Sequence, residues 1–141
     1  MKFNYINKCI FIRNYRISKK VHLTIPSNLH EIIIGSLLGD LTTERPNIKC
    51  NTRLQFKQSL INKEYIYHMY NLFQVYCNTG PLNMSKFDSR VNKNKTYYAI
   101  KFQTLSLPCF NIYRELFYNS DGKKILPANI ENFLTVKGLA Y

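Results

Sequence analysis

The segment from residue 29 to residue 39, Leu-His-Glu-Ile-Ile-Ile-Gly-Ser-Leu-Leu-Gly, constrains the fold of this chain more than any other. The residues before it, Pro-Ser-Asn at 26–28, predict the start of a helix. A helix that is apolar on almost every side must be buried on most of its surface. Gly35 and Gly39 are four residues apart on one helical face, and small residues at that spacing let a second backbone approach closely. The alternative explanation for the two glycines is ordinary core packing at Gly35 and a helix end at Gly39.

Strand patterns in the rest of the sequence predict a mixed α+β domain. Strict alternation of polar and apolar residues predicts a half-buried strand at 53–57. Residues 82–90 and 95–104 are expected to form two strands joined by the polar turn 91–94. The polar segment 42–47 has the composition of a turn.

The later helices follow from apolar spacing and from proline. Residues 62–76 have the one-face spacing of an amphipathic helix, and a third helix is expected to begin at Pro108. Short helices are expected to begin at Pro127 and Thr135. The predicted order is helix, two strands, helix, two strands, helix. The aromatic side chains on the inner faces of these helices are expected to be core, namely Tyr65, Phe73, Tyr76, Phe110 and Phe117.

The chain is strongly basic, with 20 Lys and Arg against 8 Asp and Glu and a net charge of +12. Such an excess favours binding to anionic polymers, and nucleic acid is the preferred partner because the charges alternate with apolar residues along strands. The net charge by itself would also be explained if the basic residues served only solubility or if the chain bound an acidic lipid surface. Arg, Lys and Gln on a strand pair can contact purine edges in a major groove. The candidate DNA-binding residues are Arg53, Gln55, Lys57, Lys86, Arg90, Lys95, Tyr97, Lys101 and Gln103, while Leu54, Phe56, Tyr98, Ile100 and Phe102 are expected to point into the core.

Residues 1–27 contain no acid and are predicted to form a basic arm before a domain at 28–141. A transit peptide, an arm along phosphates and an intron-linked leader are all compatible with this composition. The four cysteines have no C-x-x-C spacing, so the sequence contains no pattern typical of a zinc site. Scattered cysteines are also compatible with a reducing compartment. No apolar stretch approaches the roughly 20 residues of a membrane span. Asn, Lys, Ile, Tyr and Phe, all with AT-rich codons, make up 65 residues and suggest an organellar genome, with the mitochondrion preferred.

Asp40 follows the apolar helix directly, and a carboxylate there faces the negative end of the helix macrodipole. A divalent cation would reverse the sign of that interaction. The cation could bind the carboxylate and a backbone carbonyl left without a partner at the helix end, such as that of Gly39. The placement therefore indicates a metal ligand, although surface Asp residues are common after helices.

Three blocks in this order resemble the LAGLIDADG homing endonucleases, in their two-motif monomeric branch. IIIGSLLGD is similar to the LAGLIDADG motif, LQFKQSLINKEYIYHMYNLF to the strand and helix that follow it, and SDGKKILPANIENFLTVKGLAY to the stretch leading into the second motif. The resemblance covers about residues 29–141. It implies the α+β half-domain αββαββα, with a four-stranded antiparallel saddle-shaped sheet under helices.

The resemblance further implies cleavage of double-stranded DNA with a divalent metal, normally Mg²⁺, held by one acid from each of two packed motif helices. Asp40 matches the motif acid, and Gln55 matches a position thought to order water. Lys123 or Lys124 matches the basic residue near the cleaved phosphate, and the sequence does not choose between them.

The chain ends on Leu139-Ala140-Tyr141, which in two-motif relatives is followed within a few residues by the second acid. We therefore expect the partner helix for Gly35 and Gly39, and the second metal-binding carboxylate, to come from a C-terminal half or a second copy. A truncated frame, a split gene and a fragment all fit. The leading hypothesis is the N-terminal half of an intron-encoded, site-specific DNA endonuclease. The alternative is a non-catalytic binder, either an intron RNA maturase or a degenerate remnant.

Overall fold

Helix α1, Ser27–Leu38, begins directly after Pro26 and is buried on most of its surface, as its apolar sequence predicts. The computed structural model describes residues 20–90 and 94–141. Within that helix, Ile33, Ile34 and Leu37 are fully inaccessible to solvent. Among the helices of the described residues, none is long and apolar enough to cross a membrane.

Four strands form one antiparallel sheet in the order β1-β2-β4-β3. The predicted hairpin turn at 91–94 falls largely on residues 91–93, which lie outside the described residues. The strands are β1 Thr42–Glu44, β2 Arg53–Ser59, β3 Leu82–Asp88 and β4 Lys95–Gln103.

The first strand corrects the prediction of a turn at 42–47. Thr42–Glu44 pairs with β2, and Thr43 lies opposite Leu54 with only 5% of its surface exposed. A strand of three residues is too short to show the period of two on which strand prediction depends. Pairing with β2, rather than any local pattern, makes this segment extended.

The helices cover one face of the sheet. Helix α2, Lys63–Phe73, packs there through Phe73, whose ring centroid lies 5.2 Å from that of Phe56, and Phe56 stacks on Phe102 at 4.5 Å. Helix α3, Asn111–Phe117, follows a 3-10 turn that begins at Pro108. Four of the five aromatic residues predicted to be core are buried, namely Phe73, Tyr76, Phe110 and Phe117. The fifth, Tyr65, is only half-buried.

Tyr98 departs from the predicted burial of β4. Its neighbours on the same face, Ile100 and Phe102, are 1% and 3% exposed, whereas Tyr98 is 59% exposed. Its position along the strand gives it the helix-covered side, as the alternation predicts. Tyr98 lies toward the β3–β4 hairpin end, where the helix layer leaves its ring uncovered.

Residues 20–26 belong to the folded unit, which corrects the prediction of a basic arm extending to residue 27. The Tyr76 hydroxyl donates to the carbonyl oxygen of Thr24 at 2.6 Å, and Lys20 Nζ donates to the carbonyl oxygen of Cys77 at 2.9 Å. Leu23 and Ile25 also pack against the core. The rest of the predicted arm, residues 1–19, lies outside the described residues.

Helix α4, Val136–Leu139, packs directly on α1. The Thr135 hydroxyl caps it by accepting a hydrogen bond from the Gly138 N–H at 3.1 Å and itself donates to Glu31 Oε2 at 3.2 Å. A Cβ at Gly35 would overlap the carbonyl group of Gly138, and one at Gly138 would lie 2.8 Å from the Glu31 carbonyl oxygen. The chain itself thus supplies a backbone partner for Gly35, which was expected to come from outside it. The short helix predicted at Pro127 is instead a 3-10 turn, Ile130–Asn132.

The α1–α4 contact predicts different tolerances for Gly35, within α1, and Gly39, which directly follows α1. Gly35→Ala should lower the free energy of unfolding by about 1–3 kcal/mol, because the new methyl group meets backbone that cannot rotate away. Gly39→Ala is the matched control, since a Cβ there would meet the Ser36 carbonyl oxygen at an ordinary 3.6 Å. Urea denaturation of both variants measures the difference. Equal stability of the two variants would contradict the close approach.

Candidate functional site

The face of the sheet opposite the helices carries polar side chains, and we call it the open face. In β2, Leu54 and Phe56 point to the helices, so the residues that alternate with them belong to the open face. Cross-strand pairing extends the same face into the other three strands. The open face comprises Thr42, Glu44, Arg53, Gln55, Lys57, Ser59, Leu82, Met84, Lys86, Asp88, Lys95, Tyr97, Ala99, Lys101 and Gln103.

Eight of the nine predicted DNA-binding residues lie on this open face. Lys101 is central, because it pairs with Lys57 on one side and with Leu82 on the other. Arg90 is the exception: it follows the end of β3, and its Nη2 lies 2.6 Å from Asp88 Oδ2. Hydrogen bonds from Arg90 hold the pKa of Asp88 below its usual value.

Asp40 lies where α1 ends, and its carboxylate is held by a glutamine. Gln58 Nε2 donates to Asp40 Oδ2 at 2.6 Å, and Asn62 Nδ2 donates in turn to Gln58 Oε1 at 3.3 Å. Asp40 and Gln58 also line a groove of about 630 Å³ that runs along the open face past Lys57 and Lys86. The acid therefore stands at the border between the helix layer and the basic surface.

The sequence pointed to Gln55, whereas the structure brings Gln58 into contact with Asp40. Gln55 lies on the open face and lines the same groove, two residues from Lys57. A signal for Gln58 is present in the sequence, because the even-numbered residues of β2 face the helix layer and Asp40 directly follows a helix of that layer. The prediction drew its candidates from the odd-numbered row alone and therefore missed this contact.

The two lysines that the sequence left unresolved have different environments. Lys124 Nζ donates to the carbonyl oxygens of Gly39 at 2.8 Å and Leu41 at 2.9 Å. Burial lowers the pKa of Lys124, and the nearby Asp40 carboxylate acts in the opposite direction. Lys123 is exposed, and its backbone N–H donates to Asn119 Oδ1 at 2.9 Å.

Lys124 contacts one of the two atoms that were expected to bind the metal. The Gly39 carbonyl, predicted as a metal ligand beside Asp40, accepts the hydrogen bond of the Lys124 ammonium. A cation at the end of a helix is favourable because it offsets the negative end of the macrodipole. In this structure the favourable charge at the end of α1 is thus supplied by a side chain.

A second hollow, of about 380 Å³, lies behind Asp40 on the helix side. It is lined by Ser36, Tyr65 and Tyr141 among others, and the Tyr65 hydroxyl donates to the Tyr141 carbonyl oxygen at 3.2 Å. Burial raises the pKa of Tyr65. Asp40 therefore lines both hollows and can be reached from the open face.

Asp40 can contribute one carboxylate to a divalent-cation site. Among residues 20–90 and 94–141, no group of three or more His, Cys, Asp or Glu side chains lies close enough to hold a metal. Mg²⁺ is commonly bound through one or two carboxylates together with substrate phosphates and water. Asp40, exposed beside a groove, has the chemistry of one such carboxylate.

The order of elements, the buried glycine-containing helix and the acid at its end define a class, the α+β half-domains of αββαββα type. The family model of the LAGLIDADG DNA endonuclease family matches residues 30–141, and the chain therefore belongs to that family. This confirms both the resemblance and the fold predicted from the sequence.

Individual relatives include maturases and endonucleases. The chain is 33% identical to the cytochrome b mRNA maturase bI2 of Saccharomyces cerevisiae, over 97% of this chain and 35% of that protein. It is 28% identical to the DNA endonuclease I-ChuI of Chlamydomonas applanata, over 84% of this chain and 57% of the relative. The homing endonuclease I-WcaI bound to its DNA recognition sequence is a structural neighbour with a TM-score of 0.78 and 25% identity, covering 92% of this chain and 54% of that one. The chain thus spans roughly a third to somewhat over half of these relatives.

The contacts of Lys124 predict a stability difference between the neighbouring lysines. Lys124→Met should lower the free energy of unfolding by about 1–2 kcal/mol, because the Gly39 and Leu41 carbonyls lose a charged donor. Lys123→Met should stay within about 0.5 kcal/mol of the wild type, because Lys123 makes its hydrogen bonds within the described residues through its backbone alone. Urea denaturation at neutral pH compares the two. Similar losses in both variants would show that the ammonium contacts contribute nothing.

Proposed function

We propose that this chain is the N-terminal half of a site-specific, intron-encoded endonuclease that binds and cuts double-stranded DNA. The observation that carries the proposal is the position of Asp40 at the border of a basic groove. The groove places Lys57 and Lys86 on the same surface as the carboxylate. A duplex bound by the open face would therefore present its phosphates to the acid.

The open face suits a nucleic-acid duplex in both charge and shape. A strand ribbon can enter a major groove, where Arg, Lys and Gln donate to base edges. The lysines Lys57, Lys86 and Lys101 supply positive charge across three adjacent strands. The DNA-bound state of the structural neighbour I-WcaI supports the same choice of partner.

Binding through the open face predicts a steep salt dependence. The logarithm of the affinity should fall linearly with the logarithm of salt concentration, because each neutralised phosphate releases counterions. Lys57→Gln should reduce the magnitude of the slope by about 0.9 if Lys57 contacts one phosphate. Fluorescence anisotropy with a labelled duplex at several salt concentrations measures the slope.

Lys63→Gln is the matched control for this measurement, because Lys63 is exposed on helix α2, outside the open face. The Lys63 variant should keep the wild-type slope. A salt-independent affinity, or equal slope changes in the two variants, would count against the open face as the binding surface.

Catalysis in this proposal combines Asp40 with a second acid from another half. Bound Mg²⁺ would supply an activated water and stabilise the leaving oxygen. Asp40 would hold the cation from this half, Gln58 would fix the orientation of that carboxylate, and Lys124 would anchor the backbone around it. The coverage of 54% of the I-WcaI chain supports an active unit with a second half of comparable size.

Asp40→Asn should separate binding from cleavage. When a second motif-bearing half is supplied, in trans or as a fusion, the wild-type assembly should cut duplex DNA in a Mg²⁺-dependent manner. The asparagine variant should keep duplex affinity within about twofold and lose at least about 100-fold in cleavage rate, since it keeps the shape and removes the charged ligand. Cleavage is monitored by gel electrophoresis of a library of duplex DNA substrates. Undiminished cutting by the variant would remove Asp40 from the mechanism.

A second candidate function is assistance to intron RNA splicing. It is favoured by the cytochrome b mRNA maturases, which include a Debaryomyces hansenii protein 36% identical to this chain over 113 residues. These relatives also support an organellar and specifically mitochondrial location. A wild-type assembly that fails to cut DNA but accelerates splicing of an intron RNA would establish this alternative.

A further inference from the structure

The open face carries two acids among its basic residues, and each is bonded to an arginine. Glu44 of β1 lies directly opposite Arg53 of β2 in the antiparallel pairing. Its Oε2 accepts from Arg53 Nε at 2.8 Å and contacts Arg53 Nη2 at 2.6 Å. At the other edge of the sheet, Asp88 is bonded to Arg90.

Glu44 engages one edge of the Arg53 guanidinium and leaves another edge available. A guanidinium is planar and has five N–H donors in a fixed fork. The Nε–Nη2 edge points to Glu44, so the remaining N–H groups lie on Nη1 and Nη2. Two parallel donors of this kind match the O6 and N7 acceptors of guanine in a major groove.

The ion pair is partly exposed, and its contribution to folding stability is expected to be small. The side chains of Arg53 and Glu44 are 25% and 45% exposed, and surface ion pairs of this type contribute little to folding. A carboxylate on a DNA-binding face also repels phosphates and weakens binding to any sequence. Such a residue raises specificity when it orients a base-reading group. The gain in discrimination between bases must then exceed the loss of affinity for the matched sequence.

We propose that Glu44 is a specificity-determining positioning residue, which holds Arg53 so that its free edge reads one guanine of the target. The inference rests on the proposed function, because it takes duplex DNA as the ligand of the open face. Glu44 acts through Arg53 and makes no base contact of its own. Its carboxylate also lowers the affinity of the chain for unmatched duplex.

Selection from a random duplex library tests this proposal and identifies the target sequence in the same experiment. The 141-residue chain is incubated with the library, and bound duplexes are sequenced for the wild type and for Arg53→Ala, Glu44→Ala and Glu44→Gln. The base pair read by Arg53 is the one at which Arg53→Ala loses a guanine preference. Asp88→Ala is the matched control, because it removes the same charge from the same face at the opposite edge.

The guanine preference at that base pair should fall roughly tenfold in Glu44→Ala, within the range expected for loss of a bidentate contact. Glu44→Gln should recover part of it, because the amide oxygen can still accept from the guanidinium. Asp88→Ala should leave the guanine preference unchanged. Glu44→Ala and Asp88→Ala should both bind unmatched duplex more tightly than the wild type does. In the Arg53→Ala background, Glu44→Ala should cause no further change in the base preference at that position. Thermal unfolding of the Glu44→Ala variant should match that of the wild type.

Three results would overturn the proposal in distinguishable ways. An unchanged guanine preference in Glu44→Ala would refute positioning and leave the proposed function intact. A further loss in the Arg53→Ala background would show that Glu44 contacts the base itself. A wild-type chain that enriches no sequence would refute site-specific binding and this inference together.

Discussion

The close approach of helices α1 and α4 at Gly35 and Gly138 fixes where α1 can lie, and the position of Asp40 follows from it. Two backbones in contact leave no room for a side chain, so the crossing point cannot slide along either helix without steric overlap. The rest of α1 is embedded in the core through isoleucine and leucine side chains. The packing of the helix therefore determines where its end, with the Asp40 carboxylate, lies.

A carboxylate at a helix C-terminus is electrostatically unfavourable unless positive charge lies nearby. The structure supplies that charge with the Lys124 ammonium on the Gly39 and Leu41 carbonyls. Gln58 adds a neutral donor to the carboxylate without adding charge. Lys124 holds the backbone, so a cation or a phosphate approaching Asp40 meets an acid whose surroundings are already arranged.

The sequence predicted what local period and residue type determine. The apolar α1, the amphipathic α2 and the alternation in β2 all form as expected, because each is long enough to display its period. Strand β1, Thr42–Glu44, was missed because pairing with β2 creates it. Gln58 was missed for a related reason, since its contact depends on which face of the sheet α1 covers. A short helix beginning at Thr135 was predicted, but the local sequence does not tell which surface so short a helix contacts, and the partner of Gly35 was therefore sought outside the chain.

The Lys124–Gly39 contact joins residues 85 positions apart in the sequence. Contacts of that separation have a high loop-closure cost and tend to form after local structure during folding. Gln58 lies only 18 positions from Asp40. The surroundings of the acid are therefore expected to mature in two stages, with the glutamine in place early and the lysine late. During synthesis on the ribosome, Asp40 and Gln58 would both emerge before Lys124, so the end of α1 would acquire the last part of its electrostatic environment only when Lys124 arrives.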